Sequence, residues 1–189
     1  MPGHTGRAGG AFDRRLARLV CLIGRAMGVL LLAIVAVIVF DVLTRGSFHV
    51  GSSALQELEW HLHTTILMLT LGYAYLTDSH VRIGLVRDHL SPRTQAAIEA
   101  AGCLLMLFPF TLVAIYYGFG YAMTSFSQLE GSPSPGGLPY RFVVKATVPL
   151  GMLLLFLAGI VVLVRAVRVL VLGPAGTTGL FEAGREPAA

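Results

Sequence analysis

Apolar residues fall into four long runs separated by short polar connections. The first extends from about Leu19 to Leu43, around GVLLLAIVAVIVF, and the second from about Ala54 to Leu76, around TTILMLTLGYAYL. The third covers about Thr94 to Phe126, and the fourth about Arg141 to Leu172, around VPLGMLLLFLAGIVVLV. A helix needs roughly 20 mostly apolar residues to cross a bilayer, and each run meets that length. The pattern predicts an all-α integral membrane protein with four transmembrane helices. They form one membrane domain over 19–172, between a basic tail (1–18) and a C-terminal tail (173–189), both expected to be disordered. The third run is long enough to tilt or project, and Pro109 and Pro149 are positioned to kink the third and fourth. The first run exceeds a signal-peptide core and lacks a small-residue cleavage site, so it is read as an uncleaved span.

Composition agrees. Of 189 residues, 55% are hydrophobic and 13% charged, where a soluble domain carries about 25% charged residues. The net charge of +4 is explained by topology and not by nucleic acid. Eleven basic residues lie at one set of span ends: Arg7, Arg14, Arg15, Arg18, Arg25, Arg82, Arg87, Arg93, Arg165, Arg168 and Arg185. Only Arg45, Arg141 and Lys145 lie at the other. The positive-inside rule then puts both termini in the cytoplasm and the loop SPSPGGLPYR outside, in a multi-pass protein of the cell inner membrane.

The span centres lack Asp, Glu, Lys and Arg, whereas a transporter of charged cargo normally holds ionisable partners at mid-membrane depth. Arg25, Asp41, Glu99 and Arg165 lie nearer helix ends, where they are expected to reach the headgroups. Cys21 and Cys103 have no partner at metal-ligand or redox spacing. No nucleophile–base constellation, phosphate loop or ligand cluster stands out, so neither enzyme activity nor a cofactor is expected.

Polar chemistry gathers at the span ends. The second span opens with LQELEWHLH, pairing Glu57 with His61 and Glu59 with His63 at helical spacing. Glu57 and Glu59 point about 200° apart, so they do not form one carboxylate site. Trp60 suits an interfacial belt. The stretch reads either as a solvated helix start or as a contact surface for another protein. His61 and His63 face different sides, and a bis-histidine haem lacks its second helix. The inner connection TDSHVRIGLVRDHLSPR places Val81, Leu85, Val86 and Leu90 on one stripe, which predicts a short interfacial helix. His80 and Arg82 lie within it. Ser91 is the expected cap of the third helix, with Pro92 in its first turn.

The outer loop is more particular than a membrane loop needs to be. Pro133, Pro135 and Pro139 restrict it, and Gly136 and Gly137 permit a tight turn. Arg141 and Lys145 follow at four-residue spacing beside Tyr140, and two cations there call for an anionic partner. Candidates are Glu57 or Glu59, a lipid phosphate, or acids of another subunit; plain interfacial anchoring is the alternative.

Three stretches, in order, resemble one family over about residues 30–168: LQELEWHLHTTILMLTLGYAYL, DSHVRIGLVRDHLSPR and SPSPGGLPYRFVVKATVPLG. The chain resembles the small membrane subunit of a tripartite ATP-independent periplasmic (TRAP) transporter, the DctQ-like component. Gly84 departs from the family's inner motif, which often has Asp there. Phe142 departs from the branch resembled, which often has Trp. The resemblance implies a periplasmic solute-binding protein that captures substrate and a large, DctM-like subunit that carries substrate and sodium as an elevator. The small subunit widens the fixed frame. Glu57, Glu59, Trp60, His80, Arg82, Pro139, Tyr140, Arg141 and Lys145 become candidate contacts to a subunit or to membrane lipids. An organic acid or similar small polar solute is the implied cargo. The rival expectations are a four-helix anchor of a redox complex, or a stand-alone small transporter or channel.

Overall fold

The computed structural model describes residues 11–48, 51–77 and 90–173. Among them, all regular structure is helical. Helix α1 spans Ala11–Phe48 and α2 spans Ser53–Leu76. Helix α3, Pro92–Gly102, passes through a π-helical turn at Cys103–Leu107 into α4, Phe108–Ser127. Helix α5 spans Phe142–Leu172.

One boundary corrects the sequence expectation. Helix α1 begins at Ala11, so residues 11–18 belong to the helix and not to a tail. The Arg168 guanidinium reaches Asp13 Oδ2 at 3.2 Å, and Asp13 is buried, which ties this first turn to the far end of α5. The third run is one continuous helical rod, but it is widened before Pro109. The Phe108 N–H donates to the Cys103 carbonyl, five residues back. A proline in a helix removes one hydrogen bond and its ring collides with the carbonyl four residues earlier, and a π-turn makes room for it. The Ser91 cap is as expected: its Oγ accepts from the Thr94 N–H at 3.2 Å, ahead of Pro92. The expected interfacial helix, with His80 and Arg82, lies outside the described residues.

Three described stretches are long and apolar enough to cross a membrane: Asp13–Ser47, Pro92–Ser127 and Phe142–Leu172. The fourth expected span, α2, has the length, about 36 Å at 1.5 Å per residue. Its first three turns carry Gln56, Glu57, Glu59, His61 and His63, which leave it less apolar than the others.

Helix α5 is the centre of the bundle. In its most apolar stretch 44% of residues are buried, against 11% for α1. Helices α2 and α4 pack along α5, α1 lies mainly on α2, and α3 closes the end of α5. Val20, Leu154 and Ala158 form one core cluster with Ile23, Leu69 and Leu157 around them. Ala96, Ala100, Ala166 and Val169 form the other. Small residues let the backbones approach, as in other membrane bundles. A Cβ on Gly72 would sit 2.7 Å from the Leu154 carbonyl oxygen, and one on Gly151 would sit 2.7 Å from the Met68 carbonyl carbon. The two glycines therefore set the α2–α5 crossing from opposite sides.

Candidate functional site at the proline-rich loop

Helix α4 ends with the Gln128 N–H on the Thr124 carbonyl at 3.1 Å. Leu129 then takes a left-handed conformation (φ 46°), and the Glu130 N–H returns to the Ser125 carbonyl at 3.0 Å. This is the usual way to satisfy the last carbonyls of a helix, although glycine normally fills the left-handed position. Ser134, Pro135, Gly136 and Gly137 form a β-turn in which the Gly137 N–H donates to the Ser134 carbonyl at 3.0 Å. Proline second and a glycine at φ 71° third are the residues a type II turn requires. The Ser132 N–H donates to the Leu138 carbonyl at 3.1 Å, and the Arg141 N–H to the Glu130 carbonyl at 2.9 Å, so the segment closes on itself.

One side chain of α2 locks this ring. Glu57 Oε2 accepts from the Leu138 N–H at 2.8 Å, and its Oε1 accepts from the Ser132 hydroxyl. The Ser132 Oγ also accepts from the Ser134 N–H at 3.0 Å. A Cβ on Gly137 would lie 2.9 Å from Glu57 Oε1, so the second glycine is needed for close approach and not for its dihedrals.

Within the chain, the acid that pairs with the two cations is neither Glu57 nor Glu59. Glu130, in the loop itself, takes both: Lys145 Nζ pairs with Oε2, and Arg141 Nη1 lies 3.9 Å from Oε1. Lys145 is largely covered, with its ammonium 4.0 Å from the centroid of the Tyr121 ring, within the range of a cation–π contact. The hydrogen bond from Lys145 is the main influence holding the Glu130 carboxyl below its ordinary range. Arg141 and Lys145 alone would repel; a carboxylate shared between them reverses the sign.

The other expected residues divide into groups. Pro139 and Tyr140 are exposed, and Tyr140 holds a left-handed φ of 62° with its ring edge-on to Phe142 at 6.0 Å. Glu59 and Trp60 sit away from the loop, in a groove between α1 and α2 with Asp41 and Arg45. His61 is half-buried and His63 exposed, consistent with their different faces. Sequence reasoning missed Glu130, Ser132 and Tyr121. Glu130 was open to discovery as the one acid in the polar stretch between the third and fourth runs, eleven positions before Arg141. Tyr121 carried no signal apart from tertiary packing.

Asp41 is also corrected. It is not an exposed side chain extending from the helix: it is 3% exposed and pairs with Arg45 one turn on. Among the described residues, no three His, Cys, Asp or Glu side chains are placed to hold a metal ion.

What this arrangement does is mechanical. It fixes the ends of α2, α4 and α5 to one another through a short, pre-shaped loop, with its exposed prolines and Tyr140 facing away from the chain. A search of curated proteins gives no match. The family described as "Tripartite ATP-independent periplasmic transporters, DctQ component" matches residues 34–169, which takes in α2 to α4, the clamped loop and nearly all of α5. The chain belongs to the DctQ family of TRAP transporter components.

Proposed function

We propose that this chain is the small, fixed membrane subunit of a TRAP transporter. In this reading it crosses the inner membrane four times, with α2 as the fourth span and both termini in the cytoplasm. It braces a large elevator-type subunit during sodium-coupled, binding-protein-dependent uptake of an organic acid or similar polar solute. The observation that carries the reading is the interior of the bundle. The buried face of α5 presents Met152, Leu154, Ala158, Val161 and Val162. The buried hydroxyls of Thr111 and Thr147 donate to their own helix, to Leu107 and Val144 carbonyls at 2.7 Å each. The two buried carboxylates, Asp13 and Asp41, pair with Arg168 and Arg45 near helix ends, and the core between them is apolar, which suits a frame and gives a charged solute no partners along the way. An elevator needs that frame, because only motion of one bundle against another moves cargo.

Helix α2 need not be as apolar as its neighbours to cross. Its polar start lies beside the clamped loop, and its apolar remainder packs between α1 and α5. The clamped loop gives the outer rim a defined shape, a surface suited to a docking partner because little entropy is lost on contact.

The test is purification of the tagged chain from its native membrane in mild detergent. The expected result is a large polytopic partner in near-equal amount, and loss of that partner in an Arg141→Glu/Lys145→Glu variant. A chain that elutes alone and moves solute alone in liposomes overturns the reading. Orientation is checked by Ser134→Cys, which an impermeant maleimide should label from outside in intact cells.

A further inference from the structure

The groove between α1 and α2 has no part in the loop clamp. It has a volume of about 620 Å³ and is lined by Ile38, Asp41, Val42, Arg45, Gly46, Gln56, Glu59 and Trp60. Arg45 pairs with Asp41 Oδ2, and the Gln56 amide, turned so that its oxygen faces the guanidinium, accepts from Arg45 at 2.7 and 3.0 Å. Asp41 Oδ1 is buried with no hydrogen-bond partner. A carboxylate oxygen in that position calls for an explanation, since buried acceptors are normally satisfied.

We propose that this groove holds the headgroup of a zwitterionic aminophospholipid, with its ammonium between Asp41, Glu59 and the Trp60 ring and its phosphate on Arg45.

Charge arrangement favours this occupant. Two carboxylates and one guanidinium line the same groove, so a ligand carrying one cation and one anion side by side meets an opposite charge at each. A lone basic side chain from a protein would meet Arg45 as well as the acids. Trp60 is 71% exposed and offers a ring face, the usual partner of an ammonium. The ammonium need not touch Asp41 Oδ1; a cation a few ångströms away supplies the second favourable charge that this carboxylate lacks.

The apolar surroundings favour a lipid over a soluble amine. Ile38 and Val42 form part of the groove, and the exposed stripe continues down α1 through Val35 and Leu31 at helical spacing. Acyl chains have a path directly below the headgroup. Asp41 lies about 10 Å from the end of α1, seven residues at 1.5 Å each, a depth at which headgroup and chains meet. The inference rests on the membrane reading of the chain but not on the subunit reading, because it is tested without a partner.

Trp60 is the single tryptophan of the chain, so its emission reports the groove directly. The full-length protein is placed in liposomes of phosphatidylglycerol containing a minor fraction of either brominated phosphatidylethanolamine or brominated phosphatidylglycerol. The expected result is several-fold stronger quenching of Trp60 by the ethanolamine lipid, reduced to the glycerol-lipid level in Asp41→Asn and in Glu59→Gln. Glu59 is half-exposed, so E59Q keeps the test decisive if D41N fails to fold. Equal quenching by the two lipids, or an undiminished preference in E59Q, overturns the proposal.

Discussion

The α2–α5 crossing makes a sharp prediction, because each of its two glycines faces backbone. The perturbation is Gly151→Ala. The added carbon would lie 2.7 Å from the Met68 carbonyl carbon and 2.8 Å from Met68 Cβ, where ordinary contact begins near 3.4 Å. Neither atom belongs to the flexible end of a side chain, so α2 must move away by several tenths of an ångström. Overpacking of this kind costs typically about 1–3 kcal/mol. Alanine returns up to about 1 kcal/mol as the better helix former. The net loss is about 0–2 kcal/mol, or up to roughly 8 °C in melting temperature for a chain of this size. Gly72→Ala should behave alike, since its Cβ would meet the Leu154 carbonyl oxygen at 2.7 Å. The double variant should lose less than the sum, because the first substitution already opens the seam that the second needs. Gly120→Ala is the control: nothing lies within 4 Å of its Cβ, and it should be neutral or slightly stabilised. The assay is thermal unfolding of detergent-solubilised protein followed by size-exclusion recovery. Gly151→Ala melting at or above Gly120→Ala would refute the argument that these glycines set the crossing.

Three further outcomes test the loop. Glu57→Ala removes the acceptor of the Leu138 N–H and the Ser132 hydroxyl; amide exchange at Leu138 and protease nicking near Ser134 should both accelerate while the melting of the helices stays put. The Glu130 carboxyl is held below its ordinary range by Lys145, so its stabilisation is present above the unfolded-state value and is lost as pH falls through the lower folded-state value. Exchange protection of the Arg141 amide, corrected for intrinsic pH dependence, should therefore hold from neutral pH into the ordinary carboxylate range and fail only below it, and Glu130→Gln should abolish that acid step. Leu129→Gly relieves a left-handed conformation at an exposed residue; because that conformation costs an L-residue about 1–2 kcal/mol, the variant should unfold no earlier than wild type, and a clear drop in melting temperature would show that the leucine side chain matters more than its dihedral.

The parts of this fold that were legible in the sequence are those written in hydropathy. Lipid accepts only backbone that is internally hydrogen-bonded, so a long apolar run has almost no option but to be a helix. The middle and later boundaries follow from local chemistry as well: Ser91 and Pro92 start α3, and the Pro135–Gly136 pair bends the loop before α5. The start of α1 was not legible, because Asp13, Arg14, Arg15 and Arg18 look like a polar tail until Asp13 is seen against Arg168, 155 positions away. Asp41 is illegible for the same reason. Composition shows an acid near a helix end; only packing shows that α2 covers it and leaves one oxygen unpaired. The loop gives the clearest case. Its residue types mark a constrained turn beside two cations, yet nothing in their order says that the anion comes from the loop itself. A loop closed by its own Ser132–Leu138 and Glu130–Arg141 hydrogen bonds holds Glu130 beside Arg141 and Lys145 whatever surrounds it. This frees Glu57 for a different task, that of a staple from α2, and explains why a segment so rich in proline still needs a carboxylate. The prolines limit the shapes the loop can take, but they supply no N–H donors, so they cannot fasten that shape to the helices beneath it. Fastening falls to the Leu138 amide and the Ser132 hydroxyl, and both are bound by Glu57.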